Sequence, residues 1–143
     1  MEEYPFDIHF HIENDVLDSF KQEGELLKLC QQILIEEEQI GDVNIILTND
    51  AHVRLLNLEF RKKDKTTDVL SFPWNDEDIL GEVYISVPQV ARQAPRFENS
   101  FENEFKRMFI HGLLHLCAYD HMKPDERKEM RTREEEILGW KIY

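Results

Sequence analysis

The sequence contains no apolar run approaching the length of a membrane span, so neither a transmembrane helix nor a membrane partner is expected. Its opening, "MEEYPFDIHF", is acidic and lacks the basic stretch followed by an apolar one that marks a secretory signal. Cysteine is scarce. Cys30 and Cys117 stand far apart with no framework spacing, and two thiols alone cannot make a zinc knuckle. These absences predict a cytoplasmic protein with both thiols reduced. No repeat, linker or low-complexity segment divides the chain, and its 143 residues suit one domain spanning 1–143.

Basic charge is also in short supply, with 17 Lys/Arg against 30 Asp/Glu and a net charge of −13. That balance by itself argues against a polyanionic partner. The deficit is uneven, however. Residues 1–60 carry 14 Asp/Glu and 3 Lys/Arg, whereas residues 61–143 carry 16 and 14. The C-terminal part is therefore nearly neutral, and its "RKKDK" (Arg61 to Lys65) has four basic residues in five. Such a run ordinarily marks a solvated surface.

Strand and helix periodicities alternate along the chain without a strict order. "FDIHFHI" (Phe6 to Ile12) has the period-two pattern of a half-buried strand, with His9 and His11 on its polar, solvent-facing side. A helix is expected from Asp15 to about Ile40, with Gly24 as a point of interruption. "VNIILT" then reads as a strand, and Asn49 or Asp50 can cap a short helix toward Phe60. "DVLSFPW" is extended, "EVYIS" is another strand, and Pro88 suits the first turn of a helix reaching Ala94. Phe101 to Ala118 reads as a helix apolar over most of its circumference, hence buried. A final charged helix, Pro124 to Leu138, turns Met130, Ile137 and Leu138 inward and stops at Gly139. This order predicts an α+β fold, a small mixed β-sheet with helices packed on it.

The buried helix carries "HGLLHLCAYDH", three of six histidines in eleven positions. His111 and His115 stand four apart on one helical face, a spacing one ion can bridge, and His121 follows after a turn. Three imidazoles leave a tetrahedral ion one open position, the pattern of catalytic rather than structural sites. We read the three as metal ligands. Zinc proteases of the metzincin class share this spacing but place a general-base glutamate after the first histidine. Here that position is Gly112, which argues against peptide hydrolysis by the usual route. Cys117 points away from His115 and is assigned to the core. Asp120 either orients an imidazole or stabilises the turn.

"HGLLHLCAYDH" closely resembles the H-G-x-L-H-L-x-G-Y-D-H signature of the YbeY family of bacterial endoribonucleases and rRNA maturation factors. Ala118 is the one departure, standing where the signature has glycine. "LNLEFRKKDKTTDVLSFP", "LGEVYISVPQVARQA" and "EMRTREEEIL" resemble further family segments in the same order, the last through an M-x-x-x-E pattern. The resemblance implies one zinc ion on His111, His115 and His121 and action in the cytoplasm on single-stranded RNA. It further implies maturation of the 3′ end of small-subunit (16S) ribosomal RNA, ribosome quality control, and the ribosome or ribosomal proteins as partners.

It also marks Arg61 as functionally important. A guanidinium stays charged and grips phosphate through a planar fork, which suits a catalytic contact to a scissile phosphate. The plainer alternative pairs Arg61 with Asp64 or Asp68 as surface structure. Lys62, Lys63 and Lys65 are the candidate contacts to the strand's backbone. Two other functional readings stay open from the sequence: a zinc hydrolase acting on amides or esters, and a non-enzymatic ribosome-assembly factor with a structural zinc.

Overall fold

Alternating apolar residues build a four-stranded sheet, and one deeply apolar helix crosses it. The structure, a computed structural model, describes residues 4–13, 15–16, 23–74, 76–119 and 122–142. In chain order the elements are β1 (Ile8–Ile12), α1 (Glu23–Glu36), β2 (Asp42–Thr48), α2 (Asp50–Arg61), β3 (Val69–Pro73), β4 (Ile79–Ser86), α3 (Val87–Gln93), a 3-10 turn (Ala94–Phe97), α4 (Phe101–Leu116) and α5 (Pro124–Leu138). The sheet order is β1-β2-β4-β3, with β1, β2 and β4 parallel and β3 antiparallel to β4. The expected mixed sheet and α+β class are what the chain forms.

The pleat divides the strands between two faces. Val43, Ile45 and Leu47 of β2 and Val83 and Ile85 of β4 are wholly buried in the main core with α1 and α4. On the opposite face, Phe72 of β3 packs edge-on against both Phe60 of α2 and Tyr84 of β4, and His52 of α2 meets the same tyrosine. β3 is an edge strand. The residues flanking it, Asp68 and Trp74, bond to Ser86 and Leu80 of β4, so by antiparallel alternation Val69, Ser71 and Pro73 turn their backbone outward. That placement lets Pro73, which has no N–H, close the strand at no cost in hydrogen bonds.

The first long helix is shorter than its apolar pattern suggested. It ends at Glu36, because Glu38 takes a left-handed conformation (φ 54°) and Gln39 N–H donates back to the Leu34 carbonyl. The stretch expected to open that helix, residues 17–22, lies outside the described residues. His9 and His11 are exposed on β1, as the alternation required. No described helix is long and apolar enough to cross a membrane. Both cysteines are free and buried, and burial pushes the Cys117 thiol up to about 12, as suits a core residue.

α4 approaches the sheet closely at Gly112. A Cβ built there would lie 2.7 Å from Val83 Cγ1 and 2.9 Å from Val69 Cγ2, and the Ser71 hydroxyl donates to the Gly112 carbonyl at 2.9 Å. Gly112→Ala must displace branched side chains with little freedom. Overpacking of about 1–3 kcal/mol then works against a helix-propensity gain of about 1 kcal/mol. The variant is expected to melt below the parent in a thermal scan; an unchanged or raised Tm would show that this contact is slack.

Candidate metal centre

Two residues of α4 define the site, and three separate elements hold them. His111 and His115 are half-buried on the one arc of α4 that does not face the core, with Nε2 atoms 3.2 Å apart and rings nearly perpendicular (83°). Each ring's other nitrogen meets an acceptor. Nδ1 of His111 lies 3.1 Å from Glu134 Oε1 on α5, and Nδ1 of His115 lies 3.1 Å from the Tyr119 carbonyl oxygen. A carbonyl or an ionised carboxylate can only accept, so both Nδ1 atoms carry the proton and donate it. Nε2 of each ring then faces the other across the mouth of the site.

The spacing can be tested against a particular cation. For tetrahedral zinc with Zn–N of about 2.0–2.1 Å, the separation of two ligand nitrogens is about 3.3–3.4 Å. The observed 3.2 Å fits that edge, and acceptors behind both rings are the usual support of metal-ligating histidines. His121, the third expected ligand, and its neighbour Asp120 lie outside the described residues.

The end of α4 supplies one of these supports. Cys117 leaves the helical region, Ala118 turns left-handed (φ 72°), and the Tyr119 N–H returns to the Leu114 carbonyl at 3.0 Å. The helix therefore closes at Leu116, with the expected Cys117 and Ala118 spent on its terminating turn. This turn presents the Tyr119 carbonyl to His115. The Tyr119 hydroxyl donates to Glu37 at 2.9 Å, and Arg133 of α5 grips the same carboxylate through Nε at 2.7 Å. Neighbouring residues of α5 thus brace both imidazoles, Glu134 directly and Arg133 through Glu37 and Tyr119.

Arg61 ends α2 beside the free edge of β3. Its guanidinium donates to the Ser71 carbonyl at 3.1 Å and lies 5.7 Å from the centre of the Phe72 ring. Neither acid proposed for a surface pair takes it: Asp64 binds Arg54 at 2.8 Å, and Asp68 accepts from the Val69 N–H and from Gln93. Ser71 joins Arg61 to α4, since its carbonyl accepts from Arg61 while its hydroxyl donates to Gly112, next to His111. The basic loop follows. Lys62 is left-handed (φ 59°), its ammonium caps the Glu59 carbonyl, and buried Asn57 holds the Lys65 carbonyl at 2.9 Å. Lys62, Lys63 and Lys65 are all exposed.

Glu134 is the residue that pattern reading missed in function. It is the glutamate of the M-x-x-x-E motif, and its burial on an otherwise charged, outward-looking helix was the signal that only the structure makes visible. Elsewhere, Asp7, His9 and Asp42 bring three ligand atoms within 4.8 Å of one another, the one group of this kind among the described residues. It sits at the surface, and Asp42 already accepts the Asp7 N–H at 3.0 Å.

A buried helix that ends in a braced histidine pair, on an α+β sheet, defines a protein with a candidate nitrogen-ligand metal centre. Comparison with known proteins supplies the family. The sequence profile of Endoribonuclease YbeY matches residues 8–140. The Endoribonuclease YbeY of Desulforamulus reducens is 38% identical over 141 residues, covering 87% of this chain and 92% of the relative, and that of Shouchella clausii is 37% identical with 92% of each chain covered. The solution structure of TM1509 from Thermotoga maritima superposes with a TM-score of 0.64 at 32% identity, covering 93% of this chain and 90% of that one. The chain belongs to the YbeY endoribonuclease family.

Ala118 sits where a left-handed backbone penalises any Cβ by about 1–2 kcal/mol, a cost glycine does not carry. Ala118→Gly is expected to raise stability by about 1 kcal/mol, seen as a Tm a few degrees higher; a lower Tm would mean that the alanine methyl packs usefully.

Proposed function

We propose that this chain is a zinc-dependent endoribonuclease of single-stranded RNA, acting in the cytoplasm on the 3′ end of small-subunit (16S) ribosomal RNA and in ribosome quality control. The observation that carries the metal part of this reading is the pair of Nε2 atoms 3.2 Å apart, with an acceptor behind each ring. Family membership carries the RNA part.

In this reading His111, His115 and His121 hold one zinc ion, which when bound acidifies water and polarises a phosphoryl oxygen. Glu134 and the Tyr119 carbonyl favour, in both described ligands, the tautomer that would offer Nε2 to the ion. Arg61 spends one N–H on the Ser71 carbonyl, which aims the guanidinium while leaving its other donors for a phosphate. Lys62, Lys63 and Lys65 then follow the strand's backbone from an exposed loop. Gly112 occupies the position of the zinc-protease base, which favours a phosphodiester over an amide as the bond cleaved. The ribosome and its proteins are the partners this substrate entails.

The test is cleavage of an end-labelled single-stranded RNA by zinc-loaded protein, run beside His115→Ala and Arg61→Ala proteins shown to be folded. The histidine variant should lose cleavage, and the arginine variant should lose about 100-fold or more, the scale for removing one transition-state donor. Equal cleavage by all three would contradict the reading.

A further inference from the structure

A second basic surface lies on the other side of His111 from the contacts already described. Between α4 and α5 opens a cleft of about 470 Å³, lined by His111, Arg107, Arg127, Lys128 and Arg131 over an apolar floor of Met130 and Ile142. It meets a neighbouring cleft of about 540 Å³ through the shared Arg107 and Ile142, where Arg96, Lys141, Phe97 and Trp140 line the walls. The two form one groove that ends at His111.

Its charge is unusual for so acidic a chain. α5 turns Arg127 and Arg131 to the groove, with Lys128 on its border with the surface that Glu129 and Glu136 line. Among the described residues no acidic side chain pairs with any of those three cations, whereas Arg133, just beyond them, is fully engaged by Glu36 and Glu37. The acids facing the groove are largely committed. Glu134 accepts from His111, Glu98 is the opposing charge at the far end, and the groove's Arg107 is itself paired with buried Glu104. The aromatic residues there are placed for stacking. Phe97 is 48% exposed, with the Arg107 guanidinium 4.7 Å from its ring centre, and Trp140 is half-buried beside it.

Free cations along a groove, with aromatic faces at its far end, are the two components of a single-strand site: charge for the phosphates and rings for the bases. We propose that the α4–α5 groove is a binding track for single-stranded nucleic acid, running from Phe97 and Trp140 past Arg127 and Arg131 to His111. This rests on the RNA reading above and adds the surface that would hold the strand on the α5 side of the histidines. The acidic remainder of the molecule repels a polyanion, so this segregated groove also orients the strand.

The test is fluorescence anisotropy of a short, labelled, 2′-O-methylated single-stranded RNA, which cannot be cut through its 2′-hydroxyl, titrated with zinc-loaded protein over a range of salt. Arg127→Gln/Arg131→Gln should bind about tenfold more weakly near 0.1 M salt, and its salt slope should be shallower by about 1.4, the value for two lost single-strand contacts. Lys28→Gln/Arg54→Gln, which removes the same charge from exposed positions elsewhere, should retain the slope. In a Trp74→Phe background, which leaves Trp140 as the sole tryptophan, binding should quench its fluorescence. Equal losses in both double variants, or no quenching, would overturn the groove while leaving the nuclease reading intact. A parent protein that neither binds nor cuts the corresponding unmodified RNA would overturn both.

Discussion

The contact between Gly112 and the β3–β4 edge fixes nearly everything else in the site. A helix without a side chain at that point can come close enough for the Ser71 hydroxyl to reach its backbone carbonyl, while Val69 and Val83 fill the space on either side. That contact sets the height and rotation of α4 on the sheet. His111 immediately precedes Gly112 and His115 lies one turn beyond His111, so their direction is decided by a packing constraint. The same Ser71 offers its carbonyl to Arg61 from the unpaired edge of the sheet. One serine thereby ties the end of α2 to the helix that carries the imidazoles.

The histidines then gain their chemistry from what stands behind them. An imidazole on a helix can rotate and can carry its proton on either nitrogen. Here the Glu134 carboxylate and the Tyr119 carbonyl remove both freedoms. The second of these depends on a backbone feature, the left-handed Ala118 that folds Tyr119 back toward the helix end. Strain of about 1 kcal/mol at one residue is thus coupled to the orientation of His115. α5 acts as the brace for the whole arrangement through Arg133 and Glu134, while its preceding turns supply the cations of the groove.

Much of this was legible in the sequence, for physical reasons that can be named. Strands with one buried face alternate, so β1 and the exposure of His9 and His11 followed from "FDIHFHI". The bounds of α5 were written by Pro124 and Gly139. Four-residue spacing put His111 and His115 together, and a missing glycine at position 118 raised the question that its φ of 72° answers. What stayed hidden depends on long-range approach. Nothing in the pattern near Glu134 says that it meets a ring 23 residues away, and nothing near Arg61 says that it prefers a strand carbonyl to Asp64 or Asp68. The end of α1 was obscured because Glu38 adopts a conformation usually given to glycine.

The central claim is that the α4 histidines hold zinc through nitrogen. X-ray absorption at the zinc edge of protein loaded with one equivalent addresses it directly. The account predicts a four-coordinate shell with three imidazole nitrogens at about 2.0–2.1 Å and an oxygen in the fourth position. It also predicts that His111→Ala abolishes that signature. A shell of mainly carboxylate oxygens with one imidazole, unaltered in His111→Ala, would place the ion at Asp7, His9 and Asp42 and contradict the account.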